Sequence, residues 1–306
     1  MSKLAKLQLS VLSGIAVFMS QTVWADTSEA LVDASLPAAG ESTTTSKSTY
    51  EEIQEKVSLV YFGVYRGASL EDVGNAHQPT PDGTLDPNSP QSVENLITGG
   101  YKLTPDLMIG AALHFNYFPS LNPSGKYGQD LQMLDPMLVI SKANMIATSN
   151  FHLTGKVFFQ FPFSSADILL MGNRNLAAAI IPTVVANYEV PGTKLTLGTY
   201  AYIRAYVPSA GSPEDAPTYK IYVAPYLSYQ MTQTVAATLW VDLVQAQRKA
   251  NTPFIGGIDN YAVDIEPGIS WDITKFLTFN PILNIYPSKL TLAATSIQAI
   301  IVAKAF

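Results

Sequence analysis

Residues 151–161 read Phe151-His152-Leu153-Thr154-Gly155-Lys156-Val157-Phe158-Phe159-Gln160-Phe161. In an extended chain successive side chains point to opposite faces. Phe151, Leu153, Val157, Phe159 and Phe161 then share one face, and His152, Thr154, Lys156, Phe158 and Gln160 share the other. The same period of two recurs along the chain. In 195–207, Leu195, Leu197, Ala201, Ile203 and Val207 oppose Thr196, Tyr200, Tyr202, Arg204 and Tyr206. In 219–230, Tyr219, Ile221, Val223, Leu227 and Tyr229 oppose Lys220, Tyr222, Tyr226, Ser228 and Gln230. Val263, Ile265 and Ile269 oppose Asp264, Glu266 and Ser270, and Leu277, Phe279, Leu283 and Ile285 oppose Thr278, Asn280 and Asn284.

Outward from these segments, the pattern predicts twelve strands, at 57–67, 92–102, 107–118, 131–141, 151–162, 175–188, 194–207, 218–230, 234–247, 260–271, 276–286 and 295–306. Most exceed the five or six residues of an ordinary globular strand, and a tilted strand needs about 9–11 residues to cross a bilayer. No stretch after residue 57 approaches a continuous apolar helical span. Lys156, Asp242 and Asp264 fall inside strands, where a wet interior hydrates a charge and a dry one penalises it. Outward aromatics gather at strand ends: Phe151, Tyr188, Tyr229, Trp271 and Phe306 at one, Tyr117, Phe161, Tyr219 and Tyr261 at the other. The expected fold class is therefore all-β: a transmembrane up-and-down antiparallel β-barrel of about twelve strands, apolar outside and mixed inside. An even strand number puts both ends on one side. That side carries mostly short turns, Lys142 to Asn150 being the longest, whereas 68–91, 119–130, 163–174, 208–217, 248–259 and 287–294 face the other way. Ten or fourteen strands also fit. Prolines 136, 182, 225, 267 and 281 fall inside predicted strands, where each removes a ladder donor.

Composition agrees with an ordered, strand-rich chain. Of 306 residues, 47% are hydrophobic and 14% charged; Lys and Arg total 18 against 24 acids, a formal charge of −6. The acidic balance gives no electrostatic footprint for nucleic acid. With no cysteine and three histidines, thiol nucleophiles and Cys-based metal sites are excluded, and neither a cofactor nor a metal is expected. Met1 to Lys6 carries two lysines, Leu7 to Met19 is largely apolar, and Val23-Trp24-Ala25 has the form of a cleavage site, so 1–25 reads as a signal peptide. Residues 26–56 read as a periplasmic linker with a short helical stretch from Tyr50 to Val57, which plugs a lumen or hangs free, and 57–306 as the barrel.

The chain ends Val302-Ala303-Lys304-Ala305-Phe306. A terminal aromatic on a final alternating strand resembles the assembly signal of Gram-negative outer-membrane proteins. Ile300, Val302 and Lys304 are expected on the face of Phe306, with Lys304 departing from the apolar pattern. Tyr101-Lys102-Leu103-Thr104-Pro105-Asp106 and Trp271-Asp272-Ile273-Thr274 resemble strand–turn units of small outer-membrane channels. Over 57–306 the chain resembles porin-like outer-membrane barrels. The resemblance implies the cell outer membrane as location, outer-membrane lipid and lipopolysaccharide as surroundings, the barrel-assembly machinery as a partner in biogenesis, and small solutes as cargo.

On this reading the pore is lined by Asp135, Lys156, Tyr200, Tyr202, Arg204, Tyr206, Lys220, Tyr222, Tyr226, Asp242, Asp264 and Glu266. Four acids against three bases, with Glu71, Asp72, Asp82 and Asp86 in the 68–91 loop, point to a slight cation preference. The tyrosines either contact flat or apolar solutes or pack a narrow interior. The expected function is passive diffusion of small polar solutes or ions. The alternatives are a structural or surface-interaction barrel and a transporter of small apolar solutes. No enzyme is expected: His114 and His152 face the predicted lumen without the His-x-Ser-Asn arrangement of outer-membrane phospholipases. Asp82, Gly83, Asp86 and Asn88 lack the spacing of a calcium loop.

Overall fold

The computed structural model describes residues 55–118, 131–162, 175–214, 216–249, 258–260 and 263–305. The predicted signal peptide, the linker up to residue 54, the loops 119–130 and 163–174, Tyr261 and Phe306 lie outside the described residues. The chain forms a closed antiparallel barrel of twelve strands. They are β1 Val57–Ser69, β2 Ser92–Thr104, β3 Leu107–Tyr117, β4 Met137–Ala147, β5 Phe151–Gln160, β6 Leu176–Glu189, β7 Leu195–Pro208, β8 Pro217–Gln230, β9 Val235–Asp242 with its continuation Val244–Lys249, β10 Asp264–Thr274, β11 Leu277–Asn284 and β12 Ser296–Lys304. Each strand pairs with its sequence neighbours, and β12 returns to β1 with Phe62 opposite Val302 and Val64 opposite Ile300. Closure leaves no unpaired edge in the wall.

Strands are joined by tight turns at the end that carries the N-terminus of β1. Residues 105–106 link β2 to β3, and 275–276 link β10 to β11. At the other end, His77–Pro79 and Leu85–Pro90 form a small hairpin inside the predicted loop 68–91. It leans on the segment before β12: Gly83 approaches Ala293 and Ala294, and Lys289 donates to the backbone carbonyl of Asp82.

Two expectations are corrected. The fourth strand is not 131–141. Leu131–Met133 pairs with β3 on its own, the chain leaves the ladder around Asp135–Pro136, and β4 runs on to Ala147. Pro136 lacks the donor that would continue the ladder. The sequence expectation of a connector from Lys142 to Asn150 fails because the alternation of β4 is interrupted: the register shifts between Lys142 and Ile146, where Asn144 has φ 49°. Asparagine tolerates that left-handed conformation better than most residues.

The second correction is β12. Ile300 and Val302 do not face lipid; they are buried inside, and Ile297 and Ile301 are outside. Register decides this, because cross-strand partners share a face and Phe62 and Val64 of β1 are themselves inward. The remaining prolines have a common placement. Pro182, Pro225, Pro267 and Pro281 all lie on the outer face of their strands. Each costs one ladder bond while presenting an apolar ring outward, and the β10–β11 pairing is interrupted between Gly268–Ile282 and Trp271–Phe279, next to two of them.

Candidate functional site

The barrel interior gathers the chemistry. All twelve sequence-predicted lumen residues are inward and buried, and Arg204, Asp264 and Glu266 have no accessible surface at all. β7 and β8 bring the tyrosines together because Tyr202 and Tyr222 are direct cross-strand partners. Their rings stack at 5.2 Å, and Tyr200 tilts against both at 5.8 and 5.7 Å. Two residues on, at the next inward pair, Arg204 faces Lys220, and the Arg204 guanidinium lies over the Tyr206 ring at 5.8 Å. Two like charges side by side are tolerable only where neighbouring groups share the field.

A second group forms where β8, β9, β10 and β11 meet. Asp242 and Asp264 are cross-strand partners, and Glu266 follows opposite Trp240. Tyr222 donates its hydroxyl to Asp242 Oδ1 at 2.5 Å. The Asn284 amide bridges two carboxylates, donating to Asp264 at 2.7 Å and to Glu266 at 3.0 Å. On the far side, Gln160 donates to Asp135 at 2.5 Å, and Lys156 borders a cavity with Ser58, Thr98 and Met108. That cavity has about 10 Å³ for water, room for roughly one molecule.

Sequence reasoning missed a third group. Arg66 on β1 forms an ion pair with Glu94 on β2 at 2.9 Å, and His114 on β3 sits 3.2 Å from the other Glu94 oxygen. No alternation announced it, because β1 is apolar on both faces. Val60, Phe62 and Val64 point inward while Leu59 and Tyr61 point out. A second finding also lies beyond alternation. Much of the inner wall from β1 to β6 is apolar, including Leu96, Met108, Met137, Val139, Phe158, Ile181 and Val185. Apolar residues on both faces leave no contrast to read.

His152, the other histidine expected in the lumen, lies half-buried opposite Asn187, on a different strand from His114, so the two are not brought into one site. Among the described residues no group of three His, Cys, Asp or Glu could hold a metal. In the hairpin of the 68–91 segment, Thr80 and Thr84 donate to the Asp82 carboxylate and hold its pKa down at about 2. The side chain of Asn88, named with it for calcium, lies outside the described residues.

The outer surface is the reverse of the inner one. Leu113, Leu138, Ile140, Ile203, Ile269 and Trp271 are each more than 40% exposed. They belong to strands all round the ring, so the apolar surface is a band rather than a patch. Tyr188, Tyr229 and Trp271 mark its rim at the short-turn end, and Tyr117 and Phe161 at the other. Charges inside and a greasy band outside are the partition of a transmembrane barrel. Polar atoms on this face are covered. The Asn95 amide lies under Tyr61, whose hydroxyl donates to it at 2.7 Å, and Tyr65 does the same for Gln91 at 2.8 Å.

No family model matches the sequence, and no curated protein matches it. Solved structures do. The chain is similar to the NanC porin at 11% identity, with 81% of this chain and 100% of that one covered and a TM-score of 0.44. It is similar to an outer-membrane channel of Pseudomonas putida F1 at 10% identity, covering 81% and 95%, with a TM-score of 0.49. It is similar to OmpF of Salmonella typhi, solved with daunomycin, at 8% identity, covering 81% and 97%, with a TM-score of 0.39. At such identities function does not transfer, and it has to rest on the lumen's own geometry.

Proposed function

We propose that this protein is a porin-like channel of a Gram-negative outer membrane, passing small polar solutes or ions by passive diffusion with a slight cation preference. The observation that carries this reading is the inverted partition: Arg204, Asp264 and Glu266 sealed inside, leucines, isoleucines and Trp271 exposed in a band outside. Ionised groups are costly in a barrel interior unless water and partners share the space, so their number favours a hydrated passage. Among the buried residues that line the barrel, five acids (Glu94, Asp135, Asp242, Asp264 and Glu266) outnumber four bases (Arg66, Lys156, Arg204 and Lys220). That small excess supports the cation preference. The test is conductance of the refolded protein in planar bilayers, with reversal potentials in a salt gradient. Discrete openings with cation preference are expected; anion preference would remove the selectivity reading, and a silent bilayer the channel reading.

One observation favours a second reading, a structural or surface-interaction barrel without an open pore. The stacked tyrosines, the Tyr226–Trp240 pair at 4.2 Å and the apolar wall fill much of the interior. Size-independent exclusion of solutes from proteoliposomes, together with a silent bilayer, would establish it.

A further inference from the structure

We propose that the passage is not central: it runs along the β10–β11 wall, and what it passes is a small cation. The inference rests on the channel reading above and narrows it. Opposite walls of this barrel differ in chemistry. From β1 to β6 the inner face carries Phe62, Leu96, Met137, Val139, Phe158 and Ile181, all at 3% exposure or less. On β10 and β11 nearly every inward position is polar.

Three rungs cross that wall. At the hairpin end, Asn284 ties Asp264 to Glu266. In the middle stand Ser270 and Asn280, both buried. At the turn end, Thr278 donates to Asp272 at 2.7 Å, beside a recess of about 20 Å³ that also touches Thr274 and Lys304. Ile282 interrupts β11 between the first two rungs, but Gln298 of β12 lies directly beside it in register and restores a polar surface.

The independent sign is what these buried groups lack. Neither amide atom of Asn280 makes a hydrogen bond within the protein, nor does Glu266 Oε2, Asn284 Oδ1 or Gln298 Oε1. Buried polar atoms in native proteins are almost always satisfied, so a column of unsatisfied ones demands a partner from outside the fold, water or solute. Across the barrel Thr98, His114, Arg66 and Gln160 each leave one polar atom in the same condition, but Thr98 stands apart between Val60 and Ala112, and the other three are already tied to Glu94 or Asp135, so they make no column.

The sign of the cargo follows from charge. Asp264, Glu266 and Asp272 line the wall, with Asp242 alongside in register with Asp264. The inward bases Lys156, Arg204 and Lys220 sit on β5, β7 and β8; Arg66, within electrostatic reach of Glu266, is paired with Glu94 at 2.9 Å, and Lys304 stands near Asp272 only at the turn end. A file of carboxylate and amide oxygens suits a monovalent cation with part of its water, and the tight packing excludes sugars.

The chain has no cysteine, so single thiols report cleanly. Ser270→Cys and Asn280→Cys, with Val139→Cys on the apolar wall as the contrast, are placed in planar bilayers and treated with a cationic methanethiosulfonate. Modification at 270 and 280 is expected to cut single-channel conductance more than twofold, and at 139 to change it little. Equal block on both walls, or block only at 139, would overturn the inference while leaving the channel intact. A wild-type protein that never conducts would overturn both. On the unmodified protein, conductance in potassium should exceed that in tetraethylammonium at least tenfold, so the inference stands or falls even if a cysteine variant fails to fold. Similar conductance in the two salts would defeat it.

Discussion

Gly198→Ala tests whether the interior is packed closely enough to behave as a core. Gly198 faces inward on β7, opposite Tyr226 on β8 and Asn187 on β6. With no side chain there, the Tyr226 ring lies across β7 and its hydroxyl donates to Asn187. A Cβ at 198 would stand 2.1 Å from the ring carbon that bears the hydroxyl and 2.2 Å from the oxygen. Nothing sits that close, so the ring must swing away by more than 1 Å. Overpacking alone costs about 1–3 kcal/mol. The lost hydrogen bond is worth about 0.5–1.5 kcal/mol net. Disturbing the stack on Trp240 removes about 0.5–1.5 kcal/mol more. One ring movement relieves the clash and loses the other two together, so the expected destabilisation is about 2–4 kcal/mol rather than the sum. The assay is equilibrium urea unfolding in lipid vesicles followed by tryptophan emission, to which Trp240 contributes directly. In a Tyr226→Ala background the same glycine change should cost under about 0.5 kcal/mol, because nothing is left to displace. A Gly198→Ala variant as stable as wild type, or one equally damaged with and without the Tyr226 ring, would refute the packed-lumen argument.

Three further outcomes are expected. Tyr61→Phe leaves the Asn95 carbonyl oxygen without its 2.7 Å donor on the lipid-facing side and should destabilise by about 1–3 kcal/mol in vesicle unfolding, whereas Tyr61→Phe with Asn95→Leu should recover most of the loss. Ile203→Arg puts a charge into the exposed apolar band and should cost about 2–4 kcal/mol if 203 lies near the bilayer midplane, measured the same way; an unaffected variant would mean that this face does not meet lipid. Asp82 has its pKa held at about 2 by Thr80 and Thr84, below the usual carboxylate range. A depressed folded-state pKa means the contact is fully present above the ordinary value and is lost as pH falls through about 2. A carboxyl carbon NMR titration should therefore place the Asp82 midpoint near 2, and Thr80→Ala should move it up toward the usual range; a midpoint that is ordinary in both would discard the capped turn.

How much was legible beforehand depended on chemical contrast between the two faces of each strand. In β5, β7, β8 and β10 one face is greasy and the other carries Lys156, Arg204, Lys220, Asp264 or Glu266. The two-residue period therefore told inside from outside without any knowledge of neighbours. The strand number followed, because turns punctuate the pattern. In β1 and the second half of β12 apolar residues occupy both faces, so alternation does not disclose Arg66 and turns Ile300 and Val302 the wrong way. In β4 a bulge at Asn144 broke the alternation and hid six residues of strand.

The amino-acid sequence by itself determined that this chain makes a closed, lipid-compatible strand wall and which charges most of that wall turns inward, because those properties live within single strands. Only the tertiary structure decided which charges meet: Arg66 with Glu94 and His114, Asn284 between Asp264 and Glu266, and an apolar inner wall facing an amide-rich one. Those meetings depend on register between strands far apart in the chain, and on a barrel interior narrow enough for side chains from different strands to touch.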